Sequence, residues 1–234
     1  MSESREVIVA HTLPQRAATH VRSTLIQSSL ATLRELGHFE AYLTHVDPAY
    51  RRDILETIAP TWLPIAVGEA HYRACDNLTL SDAQLLAMGE HVGDRMQGAF
   101  METLTRAGRS LGLTPWVLLK RFDTLWGRLF QGGSIELTKV GPKELMIEIR
   151  LTGVLHSAYF RQAFCGVVRA GYKYVGTRAA YVRIARWESN VERFVMRAAW
   201  VKSTGRPVAC RLRKEPCTLA RPSRGSGASL RPAQ

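Results

Sequence analysis

Residues 134–150, "SIELTKVGPKELMIEIR", decide the fold. Upstream of this stretch, apolar residues recur every three or four positions. Within it they recur every second position, the period of a strand whose side chains point alternately to two faces. "SIELTKV" and "ELMIEIR" flank "GPK", a turn composition, and so read as a hairpin. Ile135 and Leu137 then share a face with Leu145, Ile147 and Ile149, while Glu136, Glu148 and Arg150 take the other. A second pair, "AYVRIARW" and "RFVMRAAW", alternates in the same way around Ser189-Asn190. Between the hairpins, residues 157–175 carry Phe160, Phe164, Val167, Gly171 and Tyr174 at helical spacing. The expected fold class is α+β, with N-terminal helices packed on a four-stranded antiparallel sheet made of two hairpins joined by a helix.

The helices are read outward from this sheet. A helix is expected over residues 15–36, with Ala18, Val21, Leu25, Ile26, Leu30 and Leu33 on one side and Gly37 at its end. Asp47-Pro48 reads as a cap and first turn. Ser81 caps the clearest helix, with Asp82 in its first turn and Leu85, Met88, Val92 and Met96 on one face. Gly89, Gly93 and Gly98 cost this helix propensity and permit close approach of a neighbour. Thr114-Pro115 opens a further helix with Leu119, Phe122, Trp126 and Leu129 or Phe130 inward, stopped by Gly132-Gly133. The stretch leading into it also resembles a helix-turn-helix, with Arg106, Arg109, Lys120 and Arg121 toward phosphates. A buried helical corner and a groove-reading helix predict opposite exposure for Val117, Leu118 and Leu119.

The 234 residues suit one domain with appendages: a flexible N-terminus at 1–14, a single α+β domain at 15–200, and a basic, largely disordered tail at 201–234. The "VIV" run near the start has no clear partner. The net charge is +12, and the tail has eight basic residues against one acidic, which leaves +5 for the rest. Such a tail attracts nucleic acid or an anionic surface, or merely keeps the chain in solution. Cys75, Cys165, Cys210 and Cys217 are unevenly spaced and form no disulfide framework. The start has no long apolar segment, and no run is long enough to span a membrane. The expected location is the cytoplasm.

Residues 71–81, "HYRACDNLTLS", place His71, Cys75 and Asp76 within six positions. On a helix, His71 and Cys75 share a face and Asp76 points away. Two ligands are too few for zinc, so His71 and Cys75 are weak metal candidates and no metal site is predicted. A helix exit at Asp76-Asn77 and an entry at Ser81 account for the rest. No catalytic residues are assigned: GxGxxG, Walker A, HExxH and GxSxG motifs are absent. Arginines crowd the last helix and strand pair. Arg183 and Arg197, on the outer sheet face, together with Arg211, Arg213 and Lys214 in the tail, make up a nucleic-acid contact set.

Four pieces carry a family likeness: "GHFEAYLTHV", "WLPIAVGEAHYRACDNLTLS", "YFRQAFCGVVRAGYKYVG" and "FVMRAAW". Across residues 21–200 the chain resembles an uncharacterised protein family abundant in myxobacteria. More distantly, it resembles the vinyl-reductase-type and haem–nitric-oxide-binding sensor domains. The resemblance implies a sensor-like domain, often dimeric, with a pocket between helices and sheet. The haem-binding relatives use a proximal histidine and a Tyr-x-Ser-x-Arg motif. Here Arg161 follows Tyr159 at the wrong spacing, and His91 is the faint histidine candidate. Vinyl-reductase-type relatives use cysteines near their end, where Cys165 stands isolated. On these grounds no cofactor is predicted and haem is set aside. The leading reading is a non-enzymatic regulatory or sensor-like domain that binds a small apolar or amphipathic ligand or a protein partner, with Met96, Phe100, Trp126, Phe164 and Tyr174 lining the pocket. The alternative is nucleic-acid binding through the Arg-rich half and tail. A third is an enzyme using His71 or Cys75.

Overall fold

A computed structural model of the chain describes residues 6–12, 17–58, 60–96, 114–175 and 177–202. In chain order its strands and helices are β1 (Glu6–Thr12), β2 (His20–Arg22), α1 (Ser23–Glu35), α2 (Phe39–His45), α3 (Pro48–Leu55), β3 (Trp62–Pro64), α4 (Ile65–Asp76), α5 (Asp82–Arg95), α6 (Pro115–Leu119), α7 (Phe122–Leu129), β4 (Phe130–Gln131), β5 (Ser134–Gly141), β6 (Glu144–Arg150), α8 (Ala158–Lys173), β7 (Thr177–Glu188) and β8 (Arg193–Lys202). Short 3-10 turns occupy Val154–His156 and Ser189–Val191.

The two hairpins pair as their alternation demands. Ile135 faces Ile149 and Leu137 faces Ile147 across β5 and β6, and Ile147 faces Met196 across β6 and β8. Ile135, Leu137, Leu145, Ile147, Ile149, Phe194, Met196 and Ala198 are all buried, which fixes the inner face of the sheet. The sheet has five strands, in the order β1-β5-β6-β8-β7. This corrects the four-stranded expectation and the flexible N-terminus: residues 6–12 pair antiparallel with β5 and form one edge. The partner of the "VIV" run lies in a strand that begins at Ser134, beyond the reach of a local pattern. A second sheet, β3-β2-β4, carries no signal in the sequence. Its strands have two or three residues each, too short to show a period. Because β2 takes residues 20–22, α1 begins at Ser23 and not near residue 15.

Side-chain caps set three of the helix starts. Asp47 accepts a hydrogen bond from the Ala49 amide ahead of α3 (2.9 Å). Ser81 and Gln84 form a reciprocal capping box at α5, with the Ser81 amide donating to Gln84 Oε1 (3.0 Å). Ser157 accepts from the Phe160 amide at the start of α8 (3.0 Å). The helix expected from Thr114 divides into α6 and α7, and Leu119, Phe122, Trp126 and Leu129 are buried on it. Burial of Leu119 matches the helical corner, not a groove-reading helix. The continuation of the α5 face beyond Met96, Phe100 included, lies outside the described residues, as do Arg211, Arg213 and Lys214.

Helices α5 and α8 cross in close backbone contact. A Cβ at Gly89 would overlap the Ala163 carbonyl, and one at Gly166 would overlap the Leu86 carbonyl. At Gly93 the obstacle would be the Ala170 Cβ, 2.6 Å away. The helices therefore meet backbone to backbone, and glycine is what lets them. Gly89→Ala or Gly166→Ala must part them, at a cost of roughly 1–3 kcal/mol or more. Gly127, exposed on α7 with nothing within 4 Å of where a Cβ would stand, is the control. Gly127→Ala should be neutral or gain up to about 1 kcal/mol. Denaturant unfolding of the three variants checks the contrast, and equal effects at all three positions would remove the crossing as the determinant of stability.

Candidate functional site

Helix α8 runs under the sheet and presents two apolar sides to the other helices. On one side Leu119, Phe122, Leu125, Trp126 and Leu129 of α6 and α7 face Phe164, Val167, Val168, Gly171 and Tyr172 of α8 across a cavity of about 20 Å³. On the other, Leu25 and Ser29 of α1, Tyr72 of α4 and Val92 of α5 close a second cavity of about 20 Å³ against Tyr159, Phe160, Phe164 and Val167. The cavities share Phe164 and Val167. Aromatic rings make the partition: Phe160 stacks on Phe164 (5.4 Å between centroids), and Trp126 meets Phe164 edge-on (6.2 Å). Each space is about the size of one water molecule.

Two tyrosines that line these cavities, Tyr72 in the second and Tyr172 in the first, have buried hydroxyls with no hydrogen-bond partner among the described residues. Both side chains are almost fully buried. Burial also raises both phenols above their ordinary range, so both stay protonated. An unmatched buried hydroxyl costs about 1–3 kcal/mol, which makes the pair an exception needing an explanation.

A chain of buried polar groups reaches the second cavity. The Tyr42 hydroxyl lies 2.8 Å from His71 Nδ1, His71 Nε2 lies 3.0 Å from Ser29 Oγ, and Ser29 Oγ lies 2.8 Å from the Tyr159 hydroxyl. Cys75 Sγ lies 3.8 Å from His71 Nε2. Neutral His71 offers one donor and one acceptor. One consistent assignment has Tyr42 donating to Nδ1, Nε2–H donating to Ser29, and Ser29 donating to Tyr159. Burial lowers the His71 pKa to about 3, so the ring is neutral. Burial, then the charge of Asp76, pushes the Cys75 thiol up, which leaves it a poor nucleophile. His71 and Cys75 do share a helix face, 3.8 Å apart, but both imidazole nitrogens are engaged by hydroxyls. Among the described residues no three His, Cys, Asp or Glu side chains are grouped to hold a metal.

The five residues expected to line a pocket do not all converge. Trp126 and Phe164 border the first cavity. Met96 is buried at the end of α5 and borders neither cavity. Tyr174 sits half-buried after α8 and donates to Asp94 (3.1 Å). Ser29, Tyr72, Tyr159 and Tyr172 escape sequence reasoning, although a hydroxyl repeated on otherwise apolar helix faces is a readable signal. Asp76 does not merely end α4. It accepts from Ser157 Oγ (3.1 Å) and the Tyr159 amide (2.7 Å), joining α4 to the start of α8. His91 is exposed, 3.8 Å from Glu35, and borders neither cavity.

The arginine set on the sheet is real as a geometric feature. Arg183 lies opposite Arg197 on neighbouring strands, both exposed. Glutamates interleave it: Arg197 pairs with Glu144, Arg193 with Glu148 (2.6 Å) and Glu188 (3.6 Å), and Arg186 with Glu188 (3.2 Å). A face whose arginines are matched by its own carboxylates presents little net field to a phosphate backbone. No helix among the described residues is long and apolar enough to cross a membrane.

No family model and no curated protein matches the chain. Solved structures do. The Fe(II) unliganded H-NOX protein from K. algicida aligns with a TM-score of 0.54 at 9% identity, over 79% of this chain and 98% of that one. An oxygen-binding H-NOX domain related to soluble guanylate cyclases, in its oxygen complex, aligns at 0.50 and 13%, over 76% and 94%. A structure from work on modulating haem redox potential through protein-induced porphyrin distortion aligns at 0.50 and 12%, over 76% and 94%. At these identities the likeness establishes an H-NOX-like fold. The comparisons lend no support to the myxobacterial family or to the vinyl-reductase-type domains. They do correct the expectation that haem could be set aside. That expectation rested on a missing Tyr-x-Ser-x-Arg motif, and the architecture is shared with domains described by their haem despite that absence.

The buried His71 gives a signed prediction. Its pKa is about 3 in the fold and 6.5 when unfolded, so on acidification the unfolded chain takes up a proton that the folded chain refuses. The associated stability is complete above the unfolded value and is lost as pH falls toward the folded one, at about 1.4 kcal/mol per pH unit. His71→Phe should lose less stability than wild type between pH 6.5 and 4, whatever its stability at neutral pH. Parallel stability curves over that range would show that His71 is not held neutral.

Proposed function

We propose that the chain is a sensor-type domain that takes a small, largely apolar ligand between α7 and α8. The observation that carries this reading is the Tyr172 hydroxyl, buried and unpaired on the wall of an otherwise apolar cavity. A ligand with an apolar body and one acceptor or metal-bearing group would satisfy that hydroxyl and bury its own surface against Phe122, Trp126 and Phe164. The H-NOX-like fold is consistent with a sensor-type role, and the location is argued from the site itself.

Haem is the first ligand to test, since structural neighbours are described with it. The residue types fit: the walls are apolar and aromatic, and tyrosine is a known haem-iron ligand. Phe122, Trp126 and Phe164 would hold the macrocycle by apolar contact, and Tyr172 would offer an oxygen to the iron. A bound haem would supply an iron centre for a further small ligand. At about 20 Å³ the cavity is closed, so α7 must move away from α8 to admit any such body. That displacement is itself the signal a sensor needs. The α7 helix has only eight residues and is followed directly by β4, so a shift in it reaches the small sheet.

The experiment is a titration of the full chain with hemin, read by its absorbance, and separately with the dye 1-anilinonaphthalene-8-sulfonate, read by its fluorescence. Saturable binding of at least one probe is expected. Val168→Trp, which fills the cavity, should weaken it at least tenfold while far-ultraviolet circular dichroism stays unchanged. Tyr172→Phe should weaken binding of the preferred probe about tenfold, the loss of one buried hydrogen bond. If neither probe saturates, or if Val168→Trp binds as wild type does, the cavity is packing space and not a ligand site.

A further inference from the structure

The five-stranded sheet ends on β7, and that edge is long. Thr177–Glu188 has 12 residues and pairs on one side only, with β8. Among the described residues no other backbone hydrogen bond reaches it. The register to β8 shifts between Thr177 and Ala179 and again between Ile184 and Arg186. Between these bulges, Ala179 to Ile184 pair residue for residue with Val201 to Met196. A regular antiparallel strand turns the N–H and C=O of every second residue to each side, so this segment leaves about three donors and three acceptors unmatched by any strand. Bulges and charges on an edge guard it against pairing with like strands. They also define what can pair with it.

The side chains of this segment alternate between two characters. Val182 is buried on the inner face of the sheet, and Ala180 and Ile184 are half-buried beside it. On the outer face Tyr181 is 67% exposed, and Val201, diagonal to it on β8, is 45% exposed. Arg183 is exposed on the same face and forms no ion pair among the described residues. Glu144 feels its charge but is held by Arg197. Arg178, exposed at the first bulge, is likewise unpaired. Of the strand's arginines, Arg186 alone has a carboxylate among the described residues, that of Glu188 (3.2 Å). An unpaired backbone edge, an exposed aromatic ring and two unmatched guanidinium groups thus coincide on one strand.

We propose that β7 takes an acidic, extended segment of a partner protein as a sixth strand of the sheet, with a carboxylate opposite Arg183 and an aromatic or branched side chain opposite Tyr181. Strand addition of this kind draws its affinity from main-chain hydrogen bonds and its specificity from alternate side chains. Only a polypeptide matches the edge with both N–H and C=O groups, because a phosphate backbone offers acceptors alone. A second copy of the chain fits poorly: each β7 carries Arg178, Arg183 and Arg186 against Glu188, so two such strands side by side repel. The chain's own continuation has the same sign, with eight basic residues against one acidic over 201–234. The net charge of +12 steers an acidic segment toward the chain. The edge shares no residue with the cavity between α7 and α8 and does not depend on a ligand there.

The test is a titration of the rhodamine-labelled, end-capped peptide Val-Glu-Val-Tyr-Val-Glu with the full chain, read by fluorescence anisotropy at about 0.15 M salt. Its valines continue the inner face, and its Glu-x-Tyr-x-Glu alternation meets the outer one. Saturable one-to-one binding is expected. A counterpart with every amide N-methylated, and one with lysine in place of glutamate, should each bind at least tenfold more weakly, the first for lost main-chain hydrogen bonds and the second for reversed charge. Arg183→Glu should weaken the acidic peptide about tenfold and tighten the lysine peptide. Tyr181→Ala should weaken both several-fold. Both positions are exposed, so circular dichroism should be unchanged in either variant. No saturable binding, equal affinity for the N-methylated peptide, or an unchanged affinity in Arg183→Glu would overturn the proposal. So would an oligothymidylate that binds more tightly with the same dependence on Arg183, which makes the edge a nucleic-acid contact. A dimer in sedimentation equilibrium that the peptide dissociates would give β7 to a second copy instead. No result here bears on hemin or dye binding, which the Val168→Trp variant reads independently.

Discussion

The backbone contact between α5 and α8 is the constraint on which the rest of the molecule depends. Gly89 and Gly166 remove the side chains that would keep these helices at the usual 8–10 Å spacing. Close approach there sets the height of α8 above the five-stranded sheet. It also determines what space is left on either flank of α8. The flank toward α1 and α4 is closed by Tyr72, Tyr159 and Phe160, and the flank toward α7 by Trp126 and Tyr172. Both cavities are residues of one packing decision: two helices drawn together at a glycine pair leave gaps where their larger side chains diverge.

The sheet and this crossing were legible in the sequence to different degrees. Residues 134–150 and the later pair of runs alternate cleanly, because one face of each strand is buried and the other solvated, and their pairing followed. The glycines of α5 announced close approach but not its partner. Gly166 stands among Phe164, Cys165, Val167 and Val168, where nothing in the periodicity singles it out. β1 and the small sheet were illegible for a different reason. Their pairings, His11 with Ile135 and Val21 with Leu63 and Phe130, join segments far apart in sequence, and the strands of the small sheet are too short to carry a pattern. Local rules report local energies, and these strands are stabilised by contacts that do not exist until the chain has closed.

The polar interior shows where motif reading and packing diverge. His71 and Cys75, four residues apart, invited metal or nucleophile chemistry. In the fold His71 belongs to a line of buried polar groups from Tyr42 to Tyr159 joined by three hydrogen bonds, and Cys75 lies 3.8 Å from His71 Nε2. Such a line satisfies buried groups only while His71 is neutral, and the site enforces neutrality by excluding water. Tyr42, Ser29 and Tyr159 come from three different helices, so no spacing rule could have assembled them. The same network explains why two nearby hydroxyls stand out. Ser157 and Tyr159 at the start of α8 are matched, while Tyr72 on α4 and Tyr172 farther along α8 are not.

Tyr72 ties the interior to the surface. It borders the inner cavity shared with Tyr159 and Phe160, and it also borders a polar cleft between α4 and the turn before α8. Its ring packs against Phe160 (5.0 Å between centroids) and His71 (5.1 Å). It therefore cannot turn without disturbing both the aromatic partition of the cavities and the neutral histidine. A ligand between α7 and α8 would press on that partition through Phe164. Phe164 stacks on Phe160, and Phe160 packs on Tyr72, so a displacement on the α7 flank of α8 reaches the other flank only through this ring series.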